Sequence, residues 1–240
     1  MPLTRSEEPD YGPVIGGDLI EWRAAHPLAR VVNVAGRSEL RSGDICALAG
    51  LKGVRLRGCT GLDDAALAHL RGVHTLDVSG VRALTDAAFV HLRGIHTLDM
   101  SGCDQAGLTD AAFEHLAGLH TLNMAHCTQA TITSDAFLHL RGVQSLCLWG
   151  CTQASIDDRA LPPLRGVHTL DISGCTQFSP AAVAGLRVAS TPCTLYCMDV
   201  PKEVADAARA VGIYNTVWGE SSAFNSPSRP GKAPRPLAAP

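Results

Sequence analysis

Apolar residues recur along this chain in pairs separated by one residue: Val32/Val34, Val54/Leu56, Leu76/Val78, Leu98/Met100, Leu122/Met124, Leu146/Leu148 and Leu170/Ile172, with Leu195/Cys197 as a degenerate eighth. The pairs lie 22, 22, 22, 24, 24 and 24 residues apart, then 25. A single residue between two apolar ones is the period-two signature of a strand that buries alternate side chains, so each pair predicts a short strand. Val73, Leu76 and Val78 are expected to face a core. Between strands the pattern changes. LTDAAFVHL at 84–92, with relatives starting at Leu62, Leu108 and Ile132, predicts a short helix with an apolar stripe of Ala88, Phe89 and Leu92. Thr85 or Thr109 is placed to cap its first turn, and Asp86 or Asp110 suits its positive end. Gly72, Gly94, Gly118, Gly142 and Gly166 follow the helices and end them. Ser179 and Pro180 open the last copy as cap and first helical residue. Leu161-Pro162-Pro163-Leu164 breaks the pattern and predicts only a turn or a short, broken helix.

The recurrence extends to whole strings. GVHTLDVSG at 72–80 returns as GIHTLDMSG, GLHTLNMAH, GVQSLCLWG and GVHTLDISG, starting at Gly94, Gly118, Gly142 and Gly166. Self-similarity at such a period signals stacked supersecondary units, and a strand, a loop and a helix in 22 to 24 residues can bury their apolar edge only against copies of themselves. The expected fold is therefore an α/β solenoid, with a parallel sheet lining the inside of a curve and short helices outside. The unit, LxxLxLxxC followed by [LI]TDxA and a second helical leucine, resembles the leucine-rich repeats of the cysteine-containing type. Residues 31–199 carry that resemblance, in about seven to eight units a few residues shorter than is usual. Residues 1–30 read as an N-terminal cap with an amphipathic stretch at Asp18–Arg23, residues 200–218 as a C-terminal cap helix, and residues 219–240 as a disordered Pro-rich tail.

Composition narrows the function classes. A net charge of −3 and a pI near 6.3 leave no basic footprint for nucleic acid. No apolar run reaches the roughly 18 residues of a spanning helix, and the N-terminus lacks the apolar core of a secretory signal, so no membrane role is expected. Five of the nine cysteines, Cys59, Cys103, Cys127, Cys151 and Cys175, occupy one repeat position. A column of small buried residues explains them without bridges and points to a reducing, intracellular, cytoplasmic setting.

The residues between the buried strand positions form columns on the concave face. The middle column runs Asn33, Arg55, Asp77, Asp99, Asn123, Cys147 and Asp171, and Arg57, Ser79, Ser101, Ala125, Trp149 and Ser173 run beside it. Arg55, Arg57, Asp77, Asp99, Asn123, Cys147, Trp149 and Asp171 are the candidate partner-binding residues. Trp149 leads them, because a large aromatic on a face of small side chains suits an interface anchor; the alternative is that it merely shields Ala125 and Ser173. Arg55 sits one strand from Asp77, so the alternative for part of the acidic column is a structural ion pair, weak if exposed. The 24-residue units insert two residues after the cysteine column, and Gln105, Gln129 and Gln153 there are expected on a loop rim. Duplication of one ancestral unit explains them equally well.

Eight of the ten histidines follow the period, as copies of one unit would. No closed set of metal ligands and no nucleophile, phosphate-loop or dinucleotide motif occurs, so neither enzyme activity, cofactor, metal nor small-molecule substrate is expected. The resemblance adds a direction. Repeats of this type occur in F-box proteins that recognise substrates for cullin-type ubiquitin ligases, but the residues before the first strand contain no recognisable F-box. The expectation is a protein-interaction scaffold. A ligase-associated recognition component and a stoichiometric enzyme inhibitor are the alternatives.

Overall fold

A computed structural model describes residues 11–186 and 193–210. Eight strands of three residues each form one parallel sheet in sequence order: β1 (Val31–Asn33), β2 (Gly53–Arg55), β3 (Thr75–Asp77), β4 (Thr97–Asp99), β5 (Thr121–Asn123), β6 (Ser145–Cys147), β7 (Thr169–Asp171) and β8 (Thr194–Tyr196). Strands this short have no independent stability; each exists because the strand on either side satisfies its backbone. Register holds through the change of period. Leu76 pairs with Leu98 and Leu98 with Leu122, although the first step is 22 residues and the second 24, so the loops absorb the insertion.

Short helices on the other side close four of the units: α2 (Asp64–Ala68), α3 (Asp86–Phe89), α4 (Asp110–Phe113) and α5 (Pro180–Ala184). The helix expected over 84–92 keeps α geometry only for Asp86–Phe89, and its counterpart from Ile132 is a 3₁₀ segment at Ser134–Leu140. A 22- to 24-residue unit leaves room for little more than one turn before the chain must re-enter the sheet. The Pro-Pro unit is more broken still, with two 3₁₀ turns at Asp158–Ala160 and Pro162–Leu164. Thr85 and Thr109 cap their helices through the N–H groups of Ala87 and Ala111. At the glycine column after each helix, φ runs from 79° at Gly72 to 93° at Gly166, left-handed conformations that need glycine.

The core lies between sheet and helices. Phe89, Phe113 and Phe137 recur through it fully buried, each contributing roughly 1.5–3 kcal/mol of burial free energy. The cysteine column sits beside them as free, buried thiols. Each thiol points back one unit, donating to a backbone carbonyl there: Cys127 to Met100 O at 3.2 Å, Cys151 to Met124 O at 3.0 Å and Cys175 to Leu148 O at 3.1 Å. Burial pushes the Cys103 and Cys151 thiols up to about 12, so they stay protonated and unreactive.

Before the first strand, α1 (Leu19–Ala25) is capped by Asp18. At the other end α6 (Lys202–Ala210) packs against α5. The rest of the expected C-terminal cap, residues 211–218, and the Pro-rich tail at 219–240 lie outside the described residues, as do residues 1–10. Among the described residues no helix is long and apolar enough to cross a membrane.

Candidate functional site

The middle column of the concave sheet is far less open than the alternation pattern suggests. Asp77, Asn123, Cys147 and Asp171 are all buried, Asp171 to 2% exposure and Cys147 to 1%. The cause is local: an Asp or Asn at the end of a strand folds back to accept the N–H two residues on. Asp77 Oδ1 takes Ser79 N at 3.0 Å, Asp99 takes Ser101 N at 2.9 Å, Asn123 takes Ala125 N at 3.1 Å and Asp171 takes Ser173 N at 2.9 Å. The acidic column is thus first a set of turn-forming groups. Of the candidates in it, only Arg55 and Asp99 are half-exposed.

The second oxygens and neighbouring groups link strand to strand. Arg55 Nε lies 3.2 Å from Asp77 Oδ2, its guanidinium is 4.4 Å above the Tyr11 ring, and Arg57 follows it half-buried. Asn123 Nδ2 donates to Asp99 Oδ2 at 2.9 Å, and Cys147 Sγ is 3.8 Å from Asp171 Oδ2. Between these pairs Asp77 and Asp99 stand on adjacent strands in register. Burial first, and then the Asp77 carboxylate, lift Asp99 to about 6.

Trp149 sits half-buried beyond the end of β6, with Ala125 and Ser173 buried on the flanking turns. Its ring meets the His126 imidazole edge to face, centroids 4.3 Å apart at 64°. His126 was not among the residues the sequence pattern singled out. It holds φ = 58°, one of two non-glycine residues with positive φ among those described, at a repeat position where Gly80, Gly102 and Gly150 take 68° to 71°. A left-handed conformation at a non-glycine residue costs about 1 kcal/mol and clusters at functional sites. Gly150 makes room for it, since a Cβ there would lie 2.5 Å from His126 Nδ1. The signal was in the string GLHTLNMAH, where histidine replaces the repeat's glycine.

The glutamines do not form the expected rim. Gln129 and Gln153 are buried, and their Nε2 atoms donate inward to Cys103 O at 3.0 Å and Cys127 O at 2.9 Å; Gln105 reaches Leu84 O at 3.0 Å and Gln177 continues the row to Cys151 O. The carbonyl that receives each amide is open whether or not its own unit carries the insertion, Val81 O in a 22-residue unit as well as Cys103 O and Cys127 O in longer ones, so the inserted loop supplies the donor. Their buried Oε1 atoms find no partner among the described residues.

Helix-start aspartates also bind outward from their own unit. Asp64, Asp86 and Asp110 each accept both the N–H and the hydroxyl of the next unit's Thr85, Thr109 and Thr133, at 2.6 to 2.8 Å. Each threonine thereby starts its own helical turn, as the pattern at Thr85 and Thr109 predicts, and ties it to the preceding one, whereas the pattern places the aspartates only at the helix's positive end.

Histidines at the strand-entry position stack, His74 on His96 at 4.5 Å and His96 on His120 at 4.3 Å, until Gln144 interrupts the row. Burial, then the His120 and His74 charges, lower the basicity of His96. Parallel rings do not converge their nitrogens on one point, and among the described residues no three His, Cys, Asp or Glu side chains are grouped to hold a metal ion.

No protein-family model matches the chain, and neither does any curated protein. Its architecture does match solved structures. A chain of the complex of Rad7 and Elc1 in yeast superposes with a TM-score of 0.52 at 18% identity over 66% of this chain and 44% of that one. A chain of the TLR13–ssRNA13 complex gives 0.56 at 22% identity over 70% of this chain and 25% of that one. The leucine-rich repeat-containing protein LegL7 from Legionella pneumophila matches at a TM-score of 0.43 and 14% identity over 78% of this chain and 82% of that one. The present chain spans less than half the length of the first two. The likeness is one of fold: an α/β leucine-rich-repeat solenoid, built from consecutive parallel strands and short closing helices.

Proposed function

We propose that this leucine-rich-repeat chain is a non-enzymatic protein-interaction scaffold that holds a protein partner against its concave face, with Trp149 as the anchor. The observation that carries this reading is the Trp149–His126 pair. An aromatic side chain stands on a face of small, self-bonded groups, beside a histidine held in a conformation that costs free energy and gains no core packing. Arg55, Arg57 and Asp99, each part-exposed, are the polar groups of that face proposed to lie along the partner. Asp77, Asn123, Cys147 and Asp171 shape the turns that present them, and Gln105, Gln129 and Gln153 support the loops behind.

A finer reading assigns the units to the cysteine-containing type and the protein to recognition in a cullin-type ubiquitin ligase, working beside a separate adaptor in a cytoplasmic setting. The cysteine column supports the first of these assignments, since its thiols bond a backbone carbonyl one unit back as a position fixed by the repeat would.

The test is affinity capture with the intact chain from its own cell lysate, beside Trp149→Ala. A partner captured by the first and lost from the second supports the concave-face reading, and cullin or adaptor subunits among the captured proteins support the finer one. A partner indifferent to Trp149→Ala removes the anchor.

A further inference from the structure

The repeat places an arginine after most helices, and in two places a histidine of the next unit receives it. Arg71 Nε donates to His91 Nδ1 at 3.2 Å, and Arg93 Nη2 lies 3.5 Å from His115 Nδ1. Arg141 is the same arginine two units further on, but the position where its histidine would stand is Pro163. Its side chain is exposed and makes no hydrogen bond or ion pair among the described residues.

The prolines do a second thing. They cut the helix into separate 3₁₀ turns, and a recess of about 430 Å3 opens, lined by Arg141, Arg159 and Arg165 together with Leu138, Pro162 and Pro163. Leu138 is 48% exposed there, one of few large apolar side chains left open. Arg165 holds Gly185 O through Nε at 3.2 Å, and Arg159 Nε is shared between both oxygens of Asp157 at 3.1 Å.

We propose that this recess is a docking site for an acidic segment of a partner protein that carries an aliphatic side chain among its carboxylates. The aliphatic group covers Leu138 and the two prolines while the carboxylates meet Arg141 and Arg165. Charge complementarity and the apolar floor together select this occupant. A nucleic acid fits worse: Asp157 and the nearby Asp135 would oppose a run of phosphates, no aromatic ring lines the recess for base stacking, and the chain carries a net charge of −3. A small free anion fits worse too, because all three arginines are solvent-exposed and enclose nothing. The site is separate from Trp149 and does not depend on the concave-face reading.

The experiment is fluorescence anisotropy on the intact protein with a short labelled peptide of glutamates around two leucines. A peptide with serines for the leucines and a single-stranded RNA of similar charge serve as the other arms. The leucine peptide is expected to bind, with affinity falling roughly tenfold or more in Arg141→Glu and unchanged in Trp149→Ala. Pro163→His restores the arginine's partner and is expected to weaken binding similarly while leaving the melting temperature at or above that of the parent. Failure of the leucine peptide to bind, equal or tighter binding of the serine peptide or the RNA, or indifference to both Arg141→Glu and Pro163→His overturns the proposal. Loss of a lysate partner in Trp149→Ala with peptide binding intact tests only the concave face.

Discussion

The two edges of the stack use polar side chains in opposite ways. Where strands end and helices begin, polar side chains bond inside the stack: aspartates fold onto N–H groups of their own turns, Asp64, Asp86 and Asp110 hold the next unit's threonine, and Gln129 and Gln153 fill carbonyls one unit back. Where helices end and strands begin, the backbone satisfies itself. Lys52 O accepts both His74 N and Thr75 N, at 2.8 and 2.9 Å, His74 O accepts His96 N and Thr97 N, and His96 O accepts His120 N and Thr121 N. Side chains there are released from that duty, and Lys52, Arg71, Arg93, Arg141 and Arg165 are all exposed. One edge is mostly mortar, with Trp149 and His126 as its departures, and the other leaves charged side chains exposed. Where a repeat residue is copied seven times, the reason is stacking; where one unit departs, as at Trp149, His126 and Pro163, the reason lies outside the stack.

Substitutions are expected to divide between groups that bond the stack and groups that do not. The largest loss is expected from Asp110→Ala, which leaves the Thr133 N–H and hydroxyl without their acceptor and should lower stability by about 2–3 kcal/mol in urea denaturation. A loss below about 0.5 kcal/mol would erase the contrast. Next comes Trp149→Ala, expected to weaken partner binding by about 2 kcal/mol or more with little change in melting temperature; a large fall in melting temperature with binding intact would return Trp149 to the mortar.

The third prediction concerns pH. Asp99 keeps its proton to about 6 in the folded chain, whereas in the unfolded chain it gives it up near 3.8. The folded state therefore binds more protons in that window, so this group's contribution to stability falls as pH rises from about 4 to about 6. The groups around it are Asp77, with Arg55 beyond, on one side and Asn123 and Ser101 on the other. Burial raises Asp171 in the same sense, while the lowered His96 works oppositely, adding stability as pH rises toward 6.5. Carbon-detected titration of the carboxyl should give a midpoint near 6 for Asp99, and Asp99→Asn should flatten the acid side of the stability profile; a midpoint near 4 would mean that the carboxyl is well solvated. The smallest effect is expected from Arg93→Ala, about 0.5 kcal/mol or less, because its edge contributes little to stacking.

Much of the fold was legible in the chain because stacking repeats one requirement in every unit. Pairs such as Leu76/Val78 marked strands, Thr85-Asp86 marked a helix start, and Pro162-Pro163 marked its failure. The candidate site was legible only in part. Alternation puts Asp77, Cys147 and Asp171 between the buried strand positions, but a residue at a strand end can close on its own turn, as the two aspartates do, and alternation carries no information about that. Gln129 and Gln153 were misplaced for a related reason: an inserted loop was expected to project, and the unsatisfied carbonyls that pull the amides inward belong to a different unit.

The sequence by itself determined the unit, its period, its order and its apolar interior, since these follow from local patterning and from the need of each copy to bury one edge. Only the tertiary structure decided which polar groups are shared between neighbours. It decided that Asp110 belongs to Thr133, that His126 meets Trp149 and that Arg141 has lost the ring its equivalents hold. Such pairings join residues 20 or more positions apart along the chain, and stacking geometry, not spacing, selects the partner.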